Sequence, residues 1–245
     1  ICHTSANLDR ITGSDRTGPV GGYSMIAQNL DAISKKIGEA TIAAGRDVSE
    51  ITLIGVTKTK PLEMIKKAFE AGLTDVGENY VEDFSDKQTS YHPSGLNYHF
   101  IGRLPTKKVR KIVGKAHLIH SVGSVKLANK IDFVCSEEKI RQDILIQVNQ
   151  GGELSKSGIE PDDLEGLVEE ALALPNIRIR GLMSIPPFHE PAQPYFTQLR
   201  HLRDNLQEKT ETELPFLSMG MSGDFVEAIS EGATHIRVGT SIFGS

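Results

Sequence analysis

The sequence predicts a single-domain α/β fold, a (β/α)8 TIM barrel, and three observations carry the prediction. Short apolar stretches with the period of strands alternate with longer stretches of helical period along nearly the whole chain. Eight strands can be marked in this way, and eight is the number that closes a parallel sheet on itself. No GxGxxG turn follows the first strand, which disfavours the alternative, a doubly wound open sheet.

Residues 1–21 lack sustained periodicity and read as a disordered or loosely packed tail, with the barrel occupying 22–245. A helix is expected from Tyr23 to Ala44, with Ile26, Leu30, Ile33 and Ile37 as its apolar stripe and Gly45 placed to end it. The first strand covers 51–59, and Pro61 opens a helix that closes at Gly72. Asp75–Tyr80 is the second strand. After a polar loop from Ser90 to Leu96, Asn97–Gly102 is the third. A basic helix with Lys107, Lys108, Arg110, Lys111 and Lys115 follows, best read as a solvated face. Ala116–Val122 is strand four and Ser124–Ser136 its helix. Asp143–Asn149 is strand five, and Pro161 opens the helix that ends near Leu174-Pro175. Ile177–Ile185 is strand six, stopped by Pro186-Pro187, and Tyr195, Phe196, Leu199, Leu202 and Leu206 mark an amphipathic helix over 191–209. Phe216–Ser222 is strand seven, Gly223–Glu231 a helix, and His235–Phe243 strand eight. With no helix after that strand, the N-terminal helix is expected to cover its sector.

Composition narrows the classes of function. A net charge of -5 and a pI near 5.9 leave no electrostatic footprint for nucleic acid or an anionic membrane. No apolar run approaches the ~20 residues of a membrane span, and the first residues lack the apolar core of a secretory signal. Cys2 and Cys135 are far apart and in no CxxC spacing, so neither a disulfide nor a zinc framework is expected. The expected state is a cytoplasmic monomer with no nucleic-acid or membrane partner.

Period two puts Ile51, Leu53 and Gly55 on one face of the first strand, and Thr52, Ile54, Val56 and Lys58 on the other. A lysine in line with an apolar face is costly unless its ammonium finds a partner or loses its charge. Lys60 shares the parity but precedes Pro61 at the rim, where it is expected to stay solvated. The active face of a parallel barrel is the carboxyl end of its strands. There, Ser218–Phe225 sets Ser222 and Gly223 at the head of a helix, and Val238–Gly244 sets Gly239-Thr240 at the end of the next strand. Free amides with the two hydroxyls make an anion site; the plainer reading is a helix cap and a close-packing glycine. His235, Arg237 and Gly239 are expected to face the lumen, where Arg237 needs either a carboxylate or a ligand atom such as a ring nitrogen. An anion cradle, an inward arginine and a lysine at the other side of the mouth together suit a phosphorylated aldehyde cofactor held as a Schiff base. Burial of that lysine would free its lone pair for imine formation.

The runs Val56-Thr-Lys-Thr-Lys-Pro61, Gly77-Glu-Asn-Tyr-Val81, His99-Phe-Ile-Gly102, His120-Ser-Val122, Gln147-Val-Asn149 and Gly181-Leu-Met-Ser-Ile-Pro-Pro187 resemble the pyridoxal phosphate homeostasis family. Ser218–Phe225 and Gly232–Gly244 complete the match, which covers roughly 23–244. This family is the single-domain relative of the alanine racemase N-terminal barrel (fold type III). The loop Arg103–Lys108 and Gly123 depart from its usual pattern. The resemblance implies that Lys58 carries pyridoxal 5'-phosphate as a Schiff base and that Ser222, Gly239 and Thr240 hold the phosphate. It also implies Arg237 against the pyridine nitrogen and Asn79 near the lysine. An arginine at that nitrogen leaves the ring unprotonated and a weak electron sink.

Three functions compete on this basis. The first is a non-catalytic carrier that buffers the cofactor and delivers it to apo-enzymes that use it, a role in vitamin B6 homeostasis. The second, an amino-acid racemase, is expected to need a second, β-rich domain bearing a catalytic tyrosine. The chain stops at Ser245, one residue past the last barrel motif, so that domain is not expected, and Tyr80 and Tyr98 read as structural. The third is a phosphosugar-type barrel enzyme in which Lys58 binds its substrate. The first is the reading preferred.

Overall fold

Eight parallel strands pair in chain order, and the last returns to the first to close a barrel. The structure, a computed structural model, describes residues 24–152 and 157–244; the tail expected over 1–21 lies outside them. The strands are β1 (Thr52–Val56), β2 (Asp75–Glu78), β3 (Asn97–Phe100), β4 (Leu118–Val122), β5 (Gln142–Val148), β6 (Ile177–Ser184), β7 (Phe216–Met221) and β8 (His235–Val238). The helices are α1 (Met25–Ala43), α2 (Leu62–Glu70), α3 (Val81–Ser90), α4 (Val125–Glu138), α5 (Leu164–Leu172), α6 (Gln193–Thr210), α7 (Phe225–Ser230) and α8 (Thr240–Phe243). The barrel expected from the sequence is the barrel found.

α1 forms where its stripe predicted. The Ser24 hydroxyl accepts the Ala27 amide at its start, and Ile26, Leu30, Ile33 and Ile37 are buried. It packs on α7, α8 and α2, and Asn29 Nδ2 donates to the Ile242 carbonyl at 3.0 Å. The sector after the last strand is therefore covered as expected.

Besides β1, which ends at Val56 rather than at residue 59, three elements differ from the sequence reading. The run expected as one strand over 235–243 divides at Gly239, and 240–243 coil into α8. There Ile242 and Phe243 are buried, and Phe243 lies against Gly55, whose absent side chain leaves room for it. α3 has no counterpart in the sequence reading, because only Val81 and Phe84 of its ten residues are buried and its polar face hides the period. The basic helix is shorter and tighter than expected, a 3₁₀ segment Thr106–Lys111. Its charges are partly matched: Lys108 and Lys111 reach Glu82, and Arg110 pairs with Glu137.

The main core lies between sheet and helices, where Leu53, Val76, Tyr98, Phe100, Ile119 and Ile236 point outward. Burying each such side chain is worth about 1.5–3 kcal/mol. Phe84 meets Tyr98 and Phe100 edge-on at 6.0 and 5.9 Å, fixing α3 to the sheet. The lumen is filled in two parts. Leu118, Leu145 and Met183, with Phe216 beside them, form an apolar part. Asp75, His99, His120, Ser218, His235 and Arg237, all buried, form a polar one. Cys135 is a free, buried thiol. Among the described residues no helix is long and apolar enough to cross a membrane, and no group of His, Cys, Asp and Glu is placed to hold a metal ion.

Candidate functional site

The chain leaving β1 is held firmly up to Lys58 and loosely at it. Thr57 is buried; its amide donates to the Gly77 carbonyl at 3.0 Å and its hydroxyl to Glu78 Oε1 at 2.5 Å. Lys87 Nζ donates to the Thr57 carbonyl at 2.8 Å and to Glu78 Oε1 at 2.6 Å. Burial raises the Glu78 carboxyl, opposed by those bonds from Lys87 and Thr57. Thr59 takes the left-handed conformation, φ 63°, an arrangement that costs about 1–2 kcal/mol in a residue with a Cβ. Lys58 itself is exposed, and its amine has no partner among the described residues. The burial expected for it is not found: β1 ends at Val56, and Lys58 stands beyond the strand rather than in it. Lys60 is corrected too. It is half-buried, and its Nζ donates to the Gly244 carbonyl at 2.9 Å, tying the loop after β1 to the end of α8.

The three residues expected at an anion come together. The hydroxyls of Ser222 and Thr240 lie 3.5 Å apart. The turn after β7 is set by Asp224, whose Oδ1 accepts the Met221 amide at 2.6 Å. At the head of α8, the amides of Thr240 and Ser241 have no intrahelical acceptor. A Cβ on Gly239 would lie 3.3 Å from the Val56 Cβ, so the chain passes close to β1 here. Ile54 pairs with Arg237 and Gly55 with Val238, which brings the end of β1 alongside Gly239. Lys58 and the anion residues therefore stand on consecutive strands, not across the mouth as expected. Barrel closure makes the first strand the neighbour of the last.

Arg237 faces the lumen, as its parity predicts, and is buried. One terminal nitrogen donates to Ser218 Oγ at 2.6 Å and the other to the Ser184 carbonyl at 2.9 Å. Burial pushes its pKa down to about 10, opposed by the Asp224 carboxylate. Two of five guanidinium donors are thus used within the protein. Beyond Ser218 the contacts continue through His120 and His99 to Asp75, at 2.8, 3.0 and 3.0 Å. Sequence reasoning missed this chain. Its signal was present: Asp75, His99 and His120 each share parity with the inward face of their strand.

Asn79 follows β2 at the mouth. Its side-chain oxygen is buried and has no hydrogen-bond partner among the described residues. Such an orphan costs about 1–3 kcal/mol, which a ligand donor would recover. It lines a cleft of about 210 Å³ with Ile101, Gly102, Arg103, Gln147 and Asn149. A Cβ on Gly102 would lie 1.9 Å from the Asn79 carbonyl oxygen, so only glycine lets the two loops cross. The residues implied at a phosphorylated pyridine aldehyde fit it in kind: a free amine, an anion turn, an arginine with donors to spare and an unsatisfied amide.

A closed parallel barrel with these features at its carboxyl end defines the class of alanine racemase N-terminal barrels. The model of that domain family, "Alanine racemase, N-terminal domain", matches residues 26–245. The pyridoxal phosphate homeostasis protein of Aquifex aeolicus is 45% identical over 220 residues, 89% of this chain and 96% of the relative. The structure of PipY from Synechococcus elongatus with pyridoxal phosphate bound superposes with a TM-score of 0.78 at 34% identity, over 89% of this chain and 100% of that one. An alanine racemase from Clostridium difficile, at 13% identity and a TM-score of 0.72, shares the fold over 90% of this chain and 56% of its own. The chain belongs to the pyridoxal phosphate homeostasis protein family.

Proposed function

We propose that this protein binds pyridoxal 5'-phosphate, buffers it, and delivers it to apo-enzymes without catalysing a reaction of its own. In this reading Lys58 holds the aldehyde carbon as an imine, and Ser222, Gly239 and Thr240 hold the phosphate. Arg237 donates to the pyridine nitrogen, and Asn79 lies beside the lysine. The relatives' names and the cofactor in the PipY structure support it. The single observation that carries it is the strand order. The aldehyde and phosphate-bearing carbons are neighbours on the pyridine ring, and Lys58 follows β1 while Thr240 follows β8, its partner in the sheet. The ring nitrogen lies opposite the aldehyde, and Arg237 lies deeper, inside the lumen.

When bound, the cofactor supplies a carbonyl for reversible capture by an amine. What the chain does is orient and release. Thr57 fixes the backbone before Lys58, and the exposed amine stays open to solvent and to competing amines. A cytoplasmic monomer suits a carrier that meets many apo-enzymes. No observation favours the racemase reading. Tyr98 donates its hydroxyl to the Tyr91 carbonyl at 2.7 Å beneath α3, outside the lumen.

The test is spectroscopic. The purified protein incubated with pyridoxal phosphate should absorb in the near-visible, and borohydride should fix the label on Lys58 in a peptide map. A colourless protein, or a label on Lys60, would end this reading. Delivery is tested by reactivating an apo-enzyme with the loaded protein while a free-cofactor scavenger is present. Transfer no faster than spontaneous release would leave storage alone.

A further inference from the structure

The polar part of the lumen is a chain of hydrogen bonds with a direction. An arginine only donates and an ionised carboxylate only accepts. Asp75 lies at one end, where Asn97 Nδ2 also donates to it at 3.0 Å and the Thr74 hydroxyl at 2.7 Å. His99 Nε2, 3.0 Å from Asp75 Oδ1, is then the protonated nitrogen, and His99 Nδ1 accepts from His120 Nε2 at 3.0 Å. His120 Nδ1 in turn accepts the Ser218 hydroxyl at 2.8 Å, and Ser218 Oγ accepts from Arg237 at 2.6 Å. This order satisfies every member. Running the histidine bonds the other way leaves the Ser218 proton without an acceptor among the described residues. Burial holds the His120 pKa well below 6.5, in keeping with a neutral ring.

Such a chain is an expensive way to fill a lumen. Barrel interiors are usually packed with Val, Ile and Leu, and the other part of this one is apolar. Buried polar networks hold only when every member is bonded, and they then fix a single geometry. The chain ends on Arg237, the buried cation among the residues of the candidate site. We propose that Ser218, His120, His99 and Asp75 are positioning residues that fix the plane of Arg237 and present its remaining donors to the ring nitrogen of the cofactor. The inference rests on the assignment of Arg237 made under the proposed function.

The experiment compares two probes, pyridoxal phosphate and its 1-deaza analogue, in which a C–H replaces the ring nitrogen. Binding is followed by absorbance. The intact protein should prefer pyridoxal phosphate by roughly 10-fold or more, the range of a hydrogen bond to a charged group. Ser218→Ala and His120→Leu should bring the ratio toward one, with the analogue's own affinity within about threefold of the parent's, as expected for loss of that bond alone. Ser218→Thr, which keeps the hydroxyl, should restore the preference. Thermal melts establish that each variant is folded; Ser218→Ala, the smallest change, carries the test if His120→Leu is not. Equal weakening for both probes, or a preference that survives Ser218→Ala, overturns the positioning role. No preference in the parent protein overturns the Arg237 assignment and the inference with it. Failure of the parent to bind either probe instead overturns the function proposed above.

Discussion

The lumen and the mouth of this barrel are built to opposite rules. In the lumen, Arg237, Ser218, His120, His99 and Asp75 are buried and joined by bonds of 2.6–3.0 Å. At the mouth, among the described residues, Lys58 is exposed and without a partner, Ser222 and Thr240 touch only at 3.5 Å, and the Asn79 oxygen has no partner. A chain of buried hydrogen bonds resists rearrangement, while loosely bonded groups at the rim are free to meet a ligand. The difference separates residues kept for geometry from residues kept for exchange. It predicts that the two sets fail in different ways.

The largest effect is expected at the mouth. Lys58→Ala should abolish the near-visible band, leave weak binding through the anion turn, and change stability by less than about 0.5 kcal/mol, as exposed substitutions usually do. A stability loss there would break the comparison. In the lumen, Asp75→Ala removes the acceptor at the end of the chain that the His99 and Asn97 donors reach. It should cost about 3 kcal/mol in urea unfolding, the scale for breaking a buried charged network. A near-neutral result would mean the chain adds nothing to the fold.

Acid should act on the lumen first. Unfolded histidines titrate near 6.5, while burial holds His235 down to about 3 and His120 well below 6.5. As pH falls, the unfolded chain takes up these protons before the folded one. The stability that the neutral rings contribute is therefore complete above 6.5 and is lost as pH drops from there toward 3. The slope is about 1.4 kcal/mol per pH unit for each histidine. Asp75, His99, His117 and Arg237 surround these rings. Glu78 and Asp224, raised by burial, act in the opposite sense and soften the decline. Urea midpoints at pH 7 and pH 5 check the sign, and His235→Phe should reduce the slope.

Most of the barrel was legible because period two and period 3.6 survive wherever one face is apolar. α3 escaped because Val81 and Phe84 are too few to mark a face, and α8 because four residues after Gly239 cannot show a helical period. Arg237 was placed correctly by strand parity alone. Lys58 was not, since parity says where a side chain points only while the strand continues, and β1 ends two residues earlier. Partners were the least legible. Nothing local in the sequence tells that Ser218 will meet His120, 98 residues away, or that Lys60 will reach Gly244, 184 away.

Lys60 provides the smallest and sharpest test. It shares parity, charge and neighbourhood with Lys58, and an amine-reactive aldehyde could in principle choose either. Their surroundings differ: the Lys60 ammonium is held by the Gly244 carbonyl at 2.9 Å, whereas Lys58 Nζ is bound to nothing described. An ammonium that donates to a carbonyl must give up that bond and a proton before it attacks. Lys60→Ala should therefore leave the band at full height and lower stability by about 1 kcal/mol, the worth of one such bond. A diminished band with unchanged stability would reverse the two roles and move the reactive amine from the exposed side of the loop to its anchored side.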